Sequence, residues 1–512
     1  MRGNICRCGA YPGIVSAIQA TETYPAKNLP SKALVRLQPD GRRPVASRGP
    51  EIGTGMDTIM TQITADVLGI SPDLVDARLG DTNYSEAPIS AGSMPRQRRP
   101  AVQQAALQTP QPHLLSLPYT SSFAGGRMSP TRVRLTVFIL LFALATTLSA
   151  QAKPRARDLG VPFDGTPGTN NAITDVKGVE VGHTTLISGE GKLEIGKGPV
   201  RTGVTAIHPR GKASNDAVFA AWFTLNGNGE MTGTTWVDDS GFLNGPVMIT
   251  NTHSVGVVRD AVIAWKVKRG TPDMEGYWWS LPVVAETWDG YLNDINGFHV
   301  KPEDAFHALD TAHSGPIEEG NVGGGTGMIC NQFKGGIGTS SRVLDAKLGG
   351  YTVGVLVQCN YGSREQLRIA GINVGREIPE RTIFQDDLGS IIVVLATDAP
   401  LIPTQLKRVA RKISLGLGRD GSYSGDGSGD IFIAFSTANP GAVGSQGLHQ
   451  LTMLPNDSLD PIFLATVQAT EEAVVNAMVA AETMTGINNH TVIALPHERL
   501  REALRKYNRL AK

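Results

Sequence analysis

Residues 385–400 read QDDLGSIIVVLATDAP, and this stretch predicts a central buried strand. A polar, acidic turn ends at Gly389. Ser390 then opens an unbroken apolar run from Ile391 to Ala396, which has the length and β-branched content of a buried strand. The pattern therefore places the hydroxyl of Ser390 at the start of a rigid element.

The Gly389–Ser390 pair indicates a nucleophile that is made by chain cleavage. A glycine can take backbone angles that a Cβ forbids, including those of a strained, scissile peptide. If the bond after Gly389 breaks, Ser390 becomes a chain terminus. Its α-amine, with a reference pKa of about 7.7–8.0, can then act as the base for its own hydroxyl. The alternative for this stretch alone is an ordinary loop end before a strand.

Composition favours a strand-rich enzyme. The 512 residues include 59 glycines and 6% aromatic residues, and 47 basic residues balance 47 acidic ones, so no basic field indicates a nucleic acid partner. Four cysteines are present, and their spacing does not match a zinc site. Of these, Cys330 and Cys359 are predicted either to pair or to remain buried free thiols.

Residues 1–127 do not have the pattern of one domain. Gly3 to Ala20 resembles the iron–sulfur loop and helix of molybdenum hydroxylase small subunits, and Glu51 to Tyr84 resembles a piece of their molybdopterin-binding subunit. A [2Fe–2S] cluster needs four thiolates, whereas this region offers only Cys6 and Cys8. We therefore interpret 1–127 as a remnant or misassigned, partly disordered extension.

Residues 128–152 have the three parts of a secretory signal peptide. A basic segment follows Met128, an apolar run extends from Leu135 to Leu148, and Ala-Gln-Ala precedes Lys153. The run is shorter than the roughly 20 residues that a membrane-spanning helix needs. We expect a mature protein that begins near Lys153 and is periplasmic or secreted, with no membrane attachment after the signal is removed.

The region 153–512 predicts an αββα layered sandwich. Apolar strands separated by glycine outnumber helices, and several runs are apolar on both faces, as expected when sheets are stacked between helices. The predicted helices are Thr404–Leu417, Asp460–Thr485 and a charged surface helix in residues 497–508. The predicted strands are Val204–Ile207, Ala217–Phe223, Val247–Thr250, Tyr351–Cys359, Ile391–Ala396 and Ile431–Ser436.

A second polar group precedes the strand Ile431–Ser436. Ser428 and Asp430 flank Gly429, and residues two apart in a strand face the same side, so both side chains can aim at one point. The alternative is a Gly/Asp/Ser turn. A Ser-His-Asp triad through His253 is also conceivable, but the chain has no GxSxG motif.

Two other strand ends carry unusual polar residues, and a Gly-rich stretch lies between them in sequence. Glu286 ends an apolar run, where a carboxylate costs free energy unless it has a partner or ligand, and Trp288 follows it. Asn360 ends another strand, and its amide could donate to an oxyanion. The Gly-rich residues 320–342 lack a phosphate-loop motif and predict a close-packed hairpin near the site.

From about Arg155 to the C-terminus the chain resembles the DmpA-type aminopeptidases, the L-aminopeptidase/D-esterase and β-aminopeptidase family of self-processing N-terminal-serine hydrolases. The resemblance rests on GNVGGGTGM, FKGGIGTSSR, LVQCNYG, GSIIVVLATDAPL and SGDGSGDIFIAFSTAN, which occur in that order. It implies an N-terminal-nucleophile-hydrolase-like fold with different strand connectivity. It also implies self-cleavage into an α chain, 153–389, and a β chain, 390–512.

The resemblance further implies the role of each site residue. Ser390 is the expected nucleophile, and Ser428 and Asp430 are expected to orient it. Asn360 is the expected oxyanion donor, and Glu286 the expected partner of the substrate's free amine.

Two positions depart from the family pattern. The family has a glutamate where this chain has the shorter Asp430, and some members have a tyrosine near the oxyanion where this chain has Trp288. Tyr291 is close enough in sequence to substitute for that tyrosine. Neither change removes the nucleophile.

The expected function is therefore a serine aminopeptidase that acts on short peptides, amides or esters with a free amine. We expect no cofactor or metal, and assembly of several αβ units. Three alternatives remain. The first is an acyltransferase resembling the ornithine acetyltransferases, although their nucleophile is a threonine. The others are a molybdenum hydroxylase fragment with a fused tail and a non-catalytic binding protein.

Overall fold

The computed structural model describes residues 153–270, 279–383, 389–444 and 447–511, together with the backbone of three short strands nearer the N-terminus. The chain divides into two compact units, Met1–Ile139 and Leu140–Lys512. In the first unit, β1 (Leu34–Val35), β2 (Arg43–Ser47) and β3 (Val75–Leu79) form one small sheet. The rest of 1–127 and the predicted signal peptide lie outside the described residues.

The second unit is built from two main sheets and their covering helices. Its strands are β4 (Glu180–Ser188), β5 (Val200–His208), β6 (Val218–Gly227), β7 (Phe242–Leu243), β8 (Val247–Asn251), β9 (Val283–Thr287), β10 (Ile329–Cys330), β11 (Phe333–Lys334), β12 (Gly336–Val343), β13 (Thr352–Asn360), β14 (Gly389–Thr397), β15 (Ser428–Ser436), β16 (Met484–Thr485) and β17 (Thr491–Val492). Its helices are α1 (Thr234–Ser240), α2 (Val255–Arg269), α3 (Pro302–Thr311), α4 (Val374–Glu377), α5 (Pro403–Arg419), α6 (Asp460–Val479) and α7 (His497–Lys506).

The larger sheet has the order β12-β13-β14-β15-β6-β7, and the smaller has the order β4-β5-β8-β9. Within them, β14 pairs in parallel with β15 and β8 with β9, whereas the other neighbours are antiparallel. The sequence-predicted strand from Ile391 to Ala396 is thus β14, near the centre of the larger sheet.

Alternation of side chains along β14 separates two cores. Ile392 and Val394 join residues of both sheets in the core between them. Val393 and Leu395 face the other way, into a core shared with α5 and α6. A third core lies between the smaller sheet and the helices α2 and α3. The layers are therefore helix, sheet, sheet and helix, which confirms the predicted αββα sandwich.

Helix α6 ends six residues earlier than the sequence predicts. The prediction extended the helix to Thr485, but it ends at Val479 and β16 follows. The amide of Asn321 explains the break, because it donates to the carbonyl of Glu482 (2.8 Å) and accepts from its N–H (3.0 Å). Within the described ranges α6 is also the helix long and apolar enough to span a membrane, and 78% of its most apolar window is buried in the protein.

The Gly-rich stretch forms the close-packed hairpin that the sequence predicts. Strands β10 and β11 make the hairpin and β12 follows. A Cβ on Gly338 would lie 2.1 Å from the carbonyl oxygen of Ala473 in α6, so only glycine permits this approach. A disulfide joins Cys330 in the hairpin to Cys359 in β13, which decides between the two alternatives for these cysteines.

Candidate active site

Three adjacent strand ends form the centre of the site. Ser390, the second residue of β14, lies opposite Asn360 on one neighbouring strand and opposite Gly429 on the other. Its side chain is 5% exposed, and its Oγ accepts a hydrogen bond from the amide of Gly429 (3.1 Å). The hydroxyl is thus held by the backbone ladder of the larger sheet.

Gly389 must be glycine for β14 to begin where it does. Its φ is +136°, a conformation that L side chains rarely adopt. A Cβ at this position would also lie 1.9 Å from the carbonyl oxygen of Asn360. The peptide bond before Ser390 is therefore fixed by close contact with the end of β13.

Asn360 is buried and its amide is oriented by two backbone groups. Its Oδ1 accepts from the N–H of Ile329 (2.7 Å), and its Nδ2 donates to the carbonyl of Trp288 (2.9 Å). An amide nitrogen carries two hydrogens. One of them is used by Trp288, and the oxyanion role predicted from sequence requires the other.

Ser428 and Asp430 share a face of β15, as their spacing predicts. The hydroxyl of Ser428 donates to Oδ1 of Asp430 (2.6 Å), and the hydroxyl of Ser424 donates to Oδ2. Both Ser428 and Asp430 are fully buried. Sequence reasoning missed Ser424, although the repeated Ser/Gly/Asp pattern of residues 421–430 was its signal.

The Ser428–Asp430 pair and the Ser390 side chain lie on opposite faces of the larger sheet. Phe432, two residues after Asp430, lies in the core on the helix side, whereas Ile392, two after Ser390, lies in the core between the sheets. By alternation Asp430 faces the helices and Ser390 faces the smaller sheet. In register, Ser428 lies beside Gly389, so the pair adjoins the backbone at the start of β14.

Glu286 approaches from the smaller sheet. It lies in β9 and is 4% exposed, and its Oε1 accepts from the amide of Glu230 (3.0 Å) while its Oε2 accepts from the hydroxyl of Thr252. Burial raises the pKa of the Glu286 carboxyl, and these two hydrogen bonds oppose the rise. A Cβ placed on Gly229 would contact both Gly429 and Oε1 of Glu286, so this carboxylate faces the Ser390 side of the sheet.

The loop after β9 places Trp288 and Tyr291 differently. Trp288 is 45% exposed, and its carbonyl holds Asn360. The Tyr291 ring stacks on His490, with centroids 4.5 Å apart, and burial raises the pKa of its hydroxyl. Trp288 thus contacts the nucleophile cluster through its carbonyl oxygen.

A buried carboxyl supports the same loop. Asp289 accepts from the side-chain amides of Asn251 (3.0 Å) and Asn293 (3.1 Å). Burial raises its pKa to about 6. Its position between β8 and the loop fixes the start of the segment that carries Trp288.

His253, considered from sequence as a triad member, has a different environment. It lies in the short turn Thr252–Ser254, and its ring stacks on Phe298 at 5.9 Å. The hydrogen bond described for Oγ of Ser390 comes from Gly429. The described geometry therefore does not assemble a Ser-His-Asp triad.

Comparison with known proteins identifies relatives over the second unit. A family model described as peptidase family S58 matches residues 171–492. The chain is 59% identical over 385 residues to the β-peptidyl aminopeptidase BapA of Sphingosinicella microcystinivorans, covering 72% of this chain and 96% of that protein. It is 51% identical to the BapA of Sphingosinicella xenopeptidilytica, covering 70% and 94%.

A solved structure has the same fold. The L-aminopeptidase D-Ala-esterase/amidase of Ochrobactrum anthropi, described as a prototype serine aminopeptidase and a new variant of the Ntn hydrolase fold, superposes with a TM-score of 0.65. It is 51% identical and covers 70% of this chain and 100% of its own. The predicted N-terminal-nucleophile-hydrolase-like fold is therefore confirmed.

The N-terminal region has separate relatives. A molybdopterin cofactor-binding domain model matches residues 9–108. The molybdenum-binding subunit PaoC of the Escherichia coli O157:H7 aldehyde oxidoreductase is 41% identical over 63 residues, which are 12% of this chain and 8% of that subunit. The predicted resemblance to a molybdopterin-binding subunit is confirmed. Because so little of the subunit is present, its activity is not transferred to this chain.

Proposed function

The chain belongs to peptidase family S58 and is a serine-type aminopeptidase, and on that premise we propose that it cuts its own Gly389–Ser390 bond. The products are the chains 153–389 and 390–512. The observation that carries this proposal is the register of the three strand ends, which sets Ser390 between Asn360 and Gly429. Ser390 then acts as the nucleophile on substrates.

Self-cleavage proceeds through an acyl shift. The Oγ of Ser390 attacks the carbonyl carbon of Gly389, and the C–N bond breaks as the Ser390 nitrogen takes a proton. The resulting ester links Gly389 to Oγ. Water then hydrolyses this ester, which leaves the Gly389 carboxylate, the Ser390 hydroxyl and a free α-amine. The fixed contact between Gly389 and the carbonyl of Asn360 supports this step, because it holds the scissile bond in place.

Hydrolysis of substrates uses the new amine as the base. Because Ser428 lies beside Gly389 in register, removal of Gly389 leaves the amine next to the Ser428–Asp430 pair. The amine takes the hydroxyl proton as Oγ of Ser390 attacks the substrate carbonyl. The second hydrogen of the Asn360 amide donates to the developing oxyanion. The leaving amine departs with a proton, and water hydrolyses the acyl enzyme.

Glu286 selects substrates with a free N-terminus. Its carboxylate is fixed by Thr252 and the Glu230 amide on the Ser390 side of the larger sheet. A substrate ammonium gains a charge-assisted contact there, and an acylated amine does not. Trp288, which is half-exposed beside Asn360, lines the adjacent wall. Tyr291, three residues further along the same loop, is the second residue that we assign to substrate binding. The names of the BapA relatives support β-peptides as the substrate class.

We also propose export through residues 128–152 and assembly of several αβ units. The Cys330–Cys359 disulfide supports export, because such bonds persist in oxidising compartments. Assembly is supported by the family resemblance. Localisation is then periplasmic or secreted.

The proposal is tested by trapping the acyl enzyme. The mature protein is mixed with p-nitroanilides of β-alanine, L-alanine and D-alanine, and with their N-acetyl forms as matched controls. After an acid quench, mass spectrometry of the 390–512 chain should find the acyl group on Ser390 with the free amines. Acylation of another residue, or equal turnover of the N-acetyl forms, would contradict the assignment.

A further inference from the structure

A disulfide lies one residue from the predicted oxyanion donor. Cys359 precedes Asn360 in β13 and pairs with Ile391, the residue after Ser390. Its partner Cys330 lies in the hairpin made by residues 329–334, and both cysteines are fully buried. The bond therefore joins this hairpin to the strand that carries Asn360, at the level of the nucleophile.

The same hairpin orients the Asn360 amide. Ile329, next to Cys330, donates its N–H to Oδ1 of Asn360 (2.7 Å). Fixing Oδ1 in this way directs Nδ2 to the opposite side, where one hydrogen reaches the carbonyl of Trp288. The disulfide thus joins the residue before Asn360 to the residue after Ile329, and so restrains both partners of the orienting hydrogen bond.

The hairpin also contacts the chain that leads to the cleavage site. The side-chain oxygen of Gln332 accepts from the N–H of Ile383 (3.1 Å), six residues before Gly389. Arg364 donates to the carbonyl of Asn331 (3.0 Å) at the hairpin turn. One small element therefore contacts Asn360, Ile383 and Arg364.

From these contacts we propose that the Cys330–Cys359 disulfide is a positioning element for Asn360, and that rapid self-cleavage and hydrolysis require the bond to have formed. This inference rests on the proposed roles of Ser390 and Asn360. Without the bond, the hairpin is held against β13 by noncovalent contacts such as the Ile329–Asn360 hydrogen bond, and the amide gains freedom to rotate away from the oxyanion.

On this proposal, formation of the disulfide is a step in the maturation of the enzyme. Both thiols lose a proton and together two electrons, and a protein disulfide or glutathione disulfide accepts these and becomes two thiols. The precursor would therefore remain slow to cleave in a reducing compartment and become competent after export.

The first test compares refolding with and without the bond. Precursor expressed from Met128 is unfolded, reduced, and refolded either with dithiothreitol or with glutathione disulfide, and intact mass follows cleavage. We expect the reduced form to cleave at least about tenfold more slowly, since loss of an oxyanion donor costs about 10²–10³ in rate. Equal cleavage rates of the two forms, with both thiols shown to be free in the reduced form, would overturn the inference. An oxidised precursor that never cleaves would instead overturn the proposed function.

The second test separates positioning from general stabilisation. We expect the double variant Cys330→Ala/Cys359→Ala to lower kcat with little change in KM. When the same two substitutions are added to Asn360→Ala, we expect self-cleavage to slow by less than a further twofold. Multiplicative effects in that cycle would show that the bond does not act through Asn360. The control is Leu309→Ala, a fully buried residue of α3, which should lower Tm and leave kcat unchanged. If the cysteine variant fails to fold, the refolding comparison decides.

Discussion

The two sheets contribute to the site in different ways. On the larger sheet, Asn360, Ser390 and Gly429 are placed by strand register, so their spacing follows from the hydrogen-bonded ladder. On the smaller sheet, Glu286 is oriented by a hydroxyl and an amide from two separate connecting segments. The proposed nucleophile is thus positioned by the sheet, whereas the carboxylate proposed to bind the substrate amine is positioned by loops.

The buried carboxylates of the two sheets, Asp430 and Glu286, also have different hydrogen-bond partners. Asp430 accepts from two serine hydroxyls on the helix side of the larger sheet. Glu286 accepts from one hydroxyl and one backbone N–H, and burial raises the pKa of its carboxyl in spite of both. We therefore expect changes at the larger sheet to affect both cleavage of the chain and hydrolysis of substrates, and changes at Glu286 to affect hydrolysis alone.

The largest effect is expected from Gly389→Ala. The added Cβ cannot coexist with the carbonyl of Asn360 at 1.9 Å, so the start of β14 must move. Because a displacement of about 1 Å can cost 10²-fold in rate, self-cleavage should fall by more than about 10²-fold by intact mass. Gly418→Ala in α5 is the matched control, since its Cβ meets nothing within 4 Å. Normal cleavage in Gly389→Ala would contradict the role of register.

Glu286→Gln should separate the two functions of the protein. Loss of a charged hydrogen-bond partner should lower kcat/KM for free-amine amides by about 10- to 100-fold and leave self-cleavage within twofold. Steady-state rates and intact mass measure the two outcomes. Glu303→Gln, an exposed carboxylate in α3, is the control. A parallel loss of self-cleavage would show that the two sheets do not act separately.

The pH dependence of the same pair gives a further test. Glu286 must be ionised to hold an ammonium, and burial raises its pKa. The ratio of kcat/KM for the wild type to that for Glu286→Gln should therefore fall by about tenfold per pH unit once pH drops below that pKa, which lies above the ordinary value of about 4.3. Taking the ratio removes the titration of the Ser390 amine, which both proteins share. A ratio independent of pH from 4 to 8 would contradict a contact between the substrate ammonium and a Glu286 carboxylate whose pKa is raised.

The smallest effect is expected from Ser424→Ala. This removes one of the two hydroxyls that hold Asp430 and leaves Ser428 in place. Since a hydrogen bond contributes about 0.5–1.5 kcal/mol, both self-cleavage and kcat should fall about two- to tenfold. Ser458→Ala, an exposed serine in the turn Asn456–Ser458, is the matched control. An effect on KM alone would place Ser424 in substrate binding.

Local patterns were sufficient to predict the larger-sheet half of the site. The apolar run after Ser390 predicted β14, and the two-residue spacing predicted that Ser428 and Asp430 share a face, because both depend on neighbouring residues. The layered fold followed from strands that are apolar on both faces.

The remainder depends on contacts distant in sequence. Thr252 and Glu230 lie 34 and 56 residues from Glu286, and no local pattern pairs them. The carbonyl of Trp288 that holds Asn360 is 72 residues away. The end of α6 at Val479 is likewise set by Asn321, 161 residues before Glu482.

The most direct test of the central claim, that Ser390 is freed by self-cleavage, is intact mass with N-terminal sequencing of protein expressed from Met128, beside Ser390→Ala. We predict two chains in the wild type, the smaller beginning at Ser390, and one uncut chain in the variant. A single uncut chain in both, or the same cut in both, would contradict it.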